Sequence, residues 1–286
     1  MAILLNGSNY FSLDLGGTGP VSSYSFTMVA WFKPPQEFKD WQGFVLSDGS
    51  ETARFGIGPA NYGRWGIYWD TKEARSSGSF SENYSNSSPN SWAHAVGVFR
   101  SNGGTNARTM YVNGSSNSFS NGTNITQTLT DADIVGIGYG PTTGSNELYK
   151  GEVAECALYS VELTTAEIDI LAAGFSPLFV RPDKLLGYWP LGGAFTGALS
   201  GADIVGNYNL TATGTIAAAD HPEIFYPTTP KKTGIALVPA EVIPGTGMGY
   251  ALPENSFFDY KVPRSQLEFA APDNALDYKV QSNGFE

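Results

Sequence analysis

Apolar and polar residues alternate with a period of two through residues 1 to about 160, in short runs spaced near ten residues apart. Tyr10–Leu15, Ser25–Lys33, Gly43–Ser47, Arg54–Ile57, Trp65–Trp69, Trp92–Arg100, Thr109–Val112, Ile134–Gly138 and Glu152–Tyr159 each read as a strand. Asn-Gly, Asp-Gly, Gly-Gly and Ser-Asn clusters separate them, and these residues accept the dihedrals of tight turns. Many short strands at even spacing predict an all-β sandwich or jelly roll. One segment breaks the pattern: Thr165–Ala173 has helical spacing. Thr164 offers an N-cap, Glu167 a capping-box partner, and Gly174 a C-terminal stop.

A second β-like section, with Leu185–Leu191 and Tyr208–Thr213, completes a first region over residues 1–226. Residues 227–250 are rich in Pro and Gly and read as an extended linker. The remainder, 251–286, repeats one phrase three times: PENSFFDYKV from Pro253, PRSQLEFAA from Pro263 and PDNALDYKV from Pro272. Proline has no N–H for a ladder, so it separates strands rather than sitting inside them. Each unit sets a hydrophobic residue and an aromatic on one face: Phe258 with Tyr260, Leu267 with Phe269, Leu276 with Tyr278. In the first and third units Asp259, Lys261, Asp277 and Lys279 take the other face. Strands this short cannot bury a core alone, so the repeats are expected to dock on neighbours by strand addition, as an assembly arm.

Composition narrows the classes. Charged residues are only 15%, with 34 Gly and 17 Pro, which suits a turn-rich β protein. A formal charge of -11 argues against a phosphate-binding surface, so no nucleic-acid partner is expected. No run approaches the ~20 apolar residues of a membrane span. MAILLNGSNYFSLDL has neither a basic start nor a signal-like apolar run, so synthesis in the cytoplasm is expected. The single cysteine, Cys156, excludes an internal disulfide and is expected to be a small buried apolar residue. ADIVG occurs at Ala132 and again at Ala202 in different surroundings, so coincidence or a shared local turn is expected rather than a duplicated domain.

An ordered set of phrases resembles the laminin G-like, concanavalin A-like jelly-roll family. LLNGSNYFSLDL resembles its opening strand and FTMVAWFKP its aromatic second strand. SWAHAVGVFR with MYVNG resembles a paired hairpin of the family. IVGIGYG and YKGEVAECALYSVELTTAEI resemble the closing strand and the helix after it. RPDKLLGYWPLGG, ADIVGNYNLTATGT, ADHPEIFYP and the proline-spaced tail resemble the segments C-terminal to such domains in proteins of bacteriophages and environmental bacteria, and the combined resemblance is to a phage virion protein. That resemblance implies an outward-facing jelly roll anchored by its arm. The laminin G-like resemblance also allows a calcium ion between the opening turn, Asn6 to Asn9, and the closing strand, at Glu152 or Glu155; no cofactor is required.

The inventory of reactive groups is sparse. His94 and His221 are the only histidines, and no nucleophile elbow occurs. Glycosidases of related jelly rolls use paired carboxylates, but no Glu-x-Asp-x-Glu phrase is present, and on a regular strand Glu152 and Glu155 face opposite sides. His94 reads as a satisfied strand histidine. Seven Asn-x-Ser/Thr sequons read as turn chemistry. NYGRWGIYWD is the best sugar-binding candidate. Trp65, Ile67 and Trp69 share a face assigned to the core, leaving Arg64, Tyr68 and Asp70 for the surface. The expected protein is a non-enzymatic virion component, a capsid decoration protein or appendage. Its expected partners are its own copies, other virion proteins and host glycans. The alternatives are a bacterial carbohydrate-binding module in a surface array and a glycan-degrading enzyme.

Overall fold

The computed structural model describes residues 1–35, 43–49, 54–60, 64–70, 81–83, 90–100, 108–118, 132–141, 146–192 and 199–227. The proline-spaced repeats and nearly all of the linker lie outside them. In chain order the strands are β1 (Ala2–Asn6), β2 (Tyr10–Asp14), β3 (Phe26–Lys33), β4 (Phe44–Ser47), β5 (Arg54–Ala60), β6 (Arg64–Asp70), β7 (Ser81–Asn83), β8 (Ala93–Phe99) and β9 (Arg108–Val112). They continue as β10 (Ser115–Ser118), β11 (Ile134–Ile137), β12 (Tyr139–Pro141), β13 (Asn146–Leu148), β14 (Lys150–Tyr159), β15 (Leu185–Trp189), β16 (Thr211–Thr213) and β17 (Ala217–Ala219). The α-helix among the described residues, α1, spans Thr165–Ala172.

Two antiparallel sheets form a jelly-roll sandwich, as the alternation predicts. The first runs β10-β9-β8-β3-β14-β1-β17 with β15 beside β14, and the second runs β16-β2-β11-β4-β5-β6-β7. Alternation sets which side chains meet between them. Phe26, Met28, Ala30 and Phe32 of β3 face Phe44, Leu46, Phe55, Ile57, Trp65, Ile67, Val135 and Ile137 of the second sheet in one buried cluster. The alternate residues of the first sheet are buried too. Val29, Val96, Val98, Ala157 and Tyr159 pack under Leu163, Ile168, Leu171 and Tyr188 in a second cluster. A sheet covered on both faces reads as continuous hydrophobic sequence, which is how VAWF and AVGVF appear.

α1 covers that outer face, and its ends match the sequence signals. The Glu167 N–H donates to Thr164 Oγ1 at 3.3 Å and the Thr164 N–H to Glu167 Oε2 at 2.8 Å, closing the capping box. Gly174, at φ +89°, ends the helix and donates its N–H to the Leu171 carbonyl at 3.0 Å. Each fully buried aliphatic on this helix stabilises the fold by about 1.5–3 kcal/mol.

β14 pairs with β3 along one edge, and along the other with β1 and then with β15. Its register against β3 shifts between Ala154 and Ala157, so an extra residue is accommodated there. Glu155 takes a positive φ of 56° in this bulge. The regular parity that sets Glu152 and Glu155 on opposite faces therefore fails. Val153 and Cys156 both enter the inter-sheet core, so Glu152 and Glu155 both lie on the outer side.

Two other expectations shift in detail. The Tyr208–Thr213 strand is shorter, Thr211–Thr213. The two ADIVG segments adopt different structures: the first forms β11, while the second is a turn around Asp203. There the N–H groups of Tyr188 and Val205 donate to Asp203 Oδ1 at 2.9 and 3.0 Å.

Gly136 of β11 shows how tightly the outer face of the second sheet is fitted. A Cβ there would sit 2.1 Å from the Tyr139 carbonyl oxygen, a backbone atom that cannot swing aside. Gly136→Ala is expected to cost about 1–3 kcal/mol of stability, read from urea denaturation, through overpacking.

Candidate functional site

β6 carries Arg64, Tyr68 and Asp70 at positions alternating with Trp65 and Ile67, which are fully buried in the core as the sequence assigns them. The side chains of Arg64, Tyr68 and Asp70 lie outside the described residues, as do Phe258, Tyr260, Leu267, Phe269, Leu276 and Tyr278 of the repeats.

The three residues expected to hold calcium are engaged in separate arrangements. Asn9 is a buried turn residue: its Oδ1 accepts the Asn6 N–H at 2.8 Å and its Nδ2 donates to the Thr215 carbonyl at 2.6 Å. Glu152 pairs with Lys33 Nζ at 3.0 Å. Glu155 is held in a hydrogen-bond network of its own. Among the described residues no group of three or more His, Cys, Asp and Glu gathers as a metal site.

Glu155 is 1% exposed and is surrounded by donors. Tyr188 Oη and Tyr226 Oη both donate to its carboxylate, the latter at 2.7 Å, and His221 Nε2 stands 3.0 Å from Oε1. Ser176 Oγ donates in turn to Tyr188 Oη at 3.2 Å. Burial pushes the Tyr188 hydroxyl well above its usual pKa, and the Glu155 charge adds to the shift, so Tyr188 remains a donor. The network joins the bulge of β14 to the segment 221–226. That segment is also held by backbone bonds, Phe225 N–H to Gly174 O at 2.8 Å and Ser176 N–H to Phe225 O at 2.9 Å. A buried carboxylate satisfied on this scale is a structural clamp.

Cys156 is buried, and desolvation followed by the Glu155 charge pushes its thiol well above the usual range, as expected of an inert core residue. His94 differs from its expected role. It is fully buried on the outer face of β8, its ring 5.2 Å from that of Trp31, yet among the described residues neither ring nitrogen has a hydrogen-bond partner. Burial pulls its pKa from 6.5 to about 3, so the ring is neutral.

The second sheet offers a different surface. Phe11 points into the core, which turns Tyr10, Ser12 and Asp14 of β2 outward. Across the edge of the sheet, Ser12 pairs with Thr211 and Tyr10 with Thr213 of the exposed strand β16. Tyr139 folds back over Gly136 onto the same face and stacks on Tyr10, with ring centroids 4.2 Å apart and planes 10° from parallel. The sequence carries no local signal for this pair, because the two rings come from strands far apart in the chain.

A sequence profile described as the concanavalin A-like lectin/glucanases superfamily (Laminin_G_3) matches residues 5–169. The chain belongs to this superfamily. A search of curated proteins returned no match. Among solved structures, a candidate carbohydrate-binding protein from Bacteroides ovatus ATCC 8483 is similar at TM-score 0.51 and 21% identity; the match covers 77% of this chain and 60% of that one. Domain 4 of AbnA, a GH43 extracellular arabinanase from Geobacillus stearothermophilus, in complex with arabinotriose, matches at TM-score 0.46 and 22% identity over 60% of this chain and 76% of that one. The heptameric SAP-like pentraxin from Limulus polyphemus matches at TM-score 0.48 and 16% identity over 76% and 93%. At these identities the likeness is one of fold.

The profile ends at residue 169, but the superfamily fold in this chain does not. Trp189 fills the inter-sheet core and donates its Nε1–H to the Tyr208 carbonyl at 2.7 Å, so the closing section is part of the sandwich.

The buried polar groups set two expected outcomes. Glu155→Ala strands two hydroxyls and an imidazole in a buried setting and is expected to cost about 3 kcal/mol or more in urea denaturation. For His94, the folded pKa is depressed, so its contribution is complete above pH 6.5 and is lost as pH falls toward about 3, because only the unfolded chain takes up the proton. The stability difference between His94→Phe and the parent protein should therefore move in favour of the variant by about 1.4 kcal/mol per pH unit below 6.5, measured by denaturation at pH 7 and pH 5.

Proposed function

We propose that this protein is a non-enzymatic binding and structural protein, whose jelly roll takes glycans while its C-terminal repeats hold it in a larger assembly. The observation that carries the glycan half is the difference between the two outer faces of the sandwich. The first sheet's outer face is covered by α1 and the closing section over β3, β8, β14 and β15 and stays open at its β1 edge, where Leu4 is exposed. The second sheet presents stacked tyrosines, hydroxyls and a carboxylate at its β16–β2 edge. Side chains of that mixed character suit a ligand with apolar ring faces and many hydroxyls. Membership of a lectin and glucanase superfamily points the same way.

The non-enzymatic half rests on how the reactive groups are used. Glu152 is tied to Lys33, Glu155 is saturated by donors, Cys156 is enclosed, and His94 is neutral and sealed off. Each of these four described groups is already paired or enclosed, which supports a binding role over a catalytic one.

The assembly half rests on the repeats. Three proline-spaced units with alternating apolar and charged positions suit strand addition to neighbouring copies or to other virion proteins, with a phage capsid decoration protein or appendage as the setting. The Bacteroides ovatus structure, described as a candidate carbohydrate-binding protein, favours a second setting: a bacterial carbohydrate-binding module tethered by the same tail.

The masses of the full-length protein and of a chain ending at Pro227, measured by light scattering in solution, test the assembly role. Defined oligomers or filaments are expected from the full-length chain only. Monomers from both would remove the repeats' self-assembly role.

A further inference from the structure

The second sheet's outer face carries more than a general affinity for sugars. We propose that Tyr10 and Tyr139, with Ser12, Asp14, Thr211 and Thr213 around them, form a binding subsite for a neutral glycan, distinct from the β6 positions Arg64, Tyr68 and Asp70. The inference rests on the glycan-binding function proposed for the jelly roll and gives it a place and a ligand class.

The geometry is built by the backbone. The positions of Phe11, Val135 and Ile137 in the core fix the outward direction of Tyr10, Ser12 and Gly136. With no side chain at Gly136, the chain at Tyr139 lies directly on the sheet and its ring reaches Tyr10. Both tyrosines are only partly buried, although each ring already has an aromatic partner. Rings held by each other lose little freedom when a ligand arrives, so the platform is preorganised.

The surrounding groups select the ligand. Ser12, Thr211 and Thr213 each offer a hydroxyl that can donate and accept. The Tyr139 hydroxyl is kept protonated: burial raises its pKa first, then the neighbouring Tyr10 and Asp14. Asp14 is exposed, and one of its oxygens, Oδ1, accepts the Gly16 N–H at 2.9 Å. As a carboxylate it only accepts, so it suits a ligand rich in hydroxyl donors and repels one carrying its own carboxylate or phosphate. The formal charge of -11 works in the same direction over longer range. A sugar ring laid on the tyrosine platform, with its hydroxyls toward Asp14 and the threonines, meets each requirement. A uronate, a sialic acid or a nucleic acid meets the aromatic one and fails the charge one.

Affinity electrophoresis of the full-length protein tests both the place and the class. The gels would hold neutral polysaccharides (arabinan, mixed-linkage β-glucan, dextran) or acidic ones (polygalacturonate, polysialic acid). Retardation by at least one neutral polymer and by neither acidic one is expected. Tyr10→Ala and Tyr139→Ala should each weaken it tenfold or more, and Asp14→Asn severalfold. Because the stacked rings also pack, Thr213→Arg provides a check at an exposed position. It crowds the platform and takes away one subsite hydroxyl while leaving the stacked rings in place, and should weaken retardation by a similar factor with the melting temperature unchanged. Retardation lost in Tyr68→Ala but kept in Tyr10→Ala and Thr213→Arg would overturn the placement and leave glycan binding intact. Retardation by the acidic polymers alone would overturn the ligand class. Absence of retardation by every polymer would overturn the subsite and the glycan reading together.

Discussion

The extra residue in β14 is the constraint on which much else in this sandwich depends. That strand must satisfy β3 along one edge and two different strands, β1 and β15, along the other. The bulge falls where the partner changes. Glu155 takes the left-handed conformation there, and its carboxylate ends up buried. A buried carboxylate is tolerable only when its oxygens are bonded. Its donors Tyr188, His221 and Tyr226 all come from the closing section after α1. The bulge and the closing section therefore depend on each other. A chain cut where the superfamily profile ends would keep the bulge and lose every one of these donors, together with Trp189 from the core.

How much the sequence makes legible depends on how local each signal is. The capping box of α1 is written in four consecutive residues, Thr164 to Glu167, and it forms as read. Alternation in FTMVAWFK and AHAVGVF locates β3 and β8 within a residue or so, because burial on both faces leaves a continuous apolar run. Three of the strands that pattern reading passes over are of another kind. β7 is Ser-Glu-Asn, β10 is Ser-Ser-Asn-Ser and β17 is three alanines. These are short edge segments made strands by the ladder beside them, with no preference of their own to announce it. ADIVG makes the same point twice over. It is core strand at Ala132, where β2 and β4 flank it, and a turn at Ala202, where Asp203 caps three backbone amides.

The site is less legible than the fold for a related reason. Parity arguments assume a regular strand, and the one place where two carboxylates are compared by parity is the bulge itself. Asn9 resembles a ligand because of where it falls in the family's opening turn. Its amide is consumed by Asn6 and Thr215, which a linear reading cannot foresee. His94 reads as satisfied because strand histidines usually are. Only the packing of Trp31 and the covered outer face reveals that both its nitrogens lack a partner among the described residues. The Tyr10–Tyr139 stack needs Gly136 to be side-chain-free and β12 to fold back over β11, and neither condition has a local signature.

The two faces of the sandwich divide the work that one chain can do. Packing α1 and the closing section on the first sheet buries a second apolar cluster, and Tyr226, the last residue of the clamp, directly precedes the proline-rich stretch of the sequence. The Glu155 clamp and the Phe225 backbone bonds both hold this end of the closing section, on β14 and the end of α1. The β16–β2 edge of the second sheet takes no part in that clamp. Its exposed threonines and half-buried tyrosines have no packing role that requires hydroxyls. On the proposed function, the Glu155 clamp and the glycan subsite therefore draw on different residues.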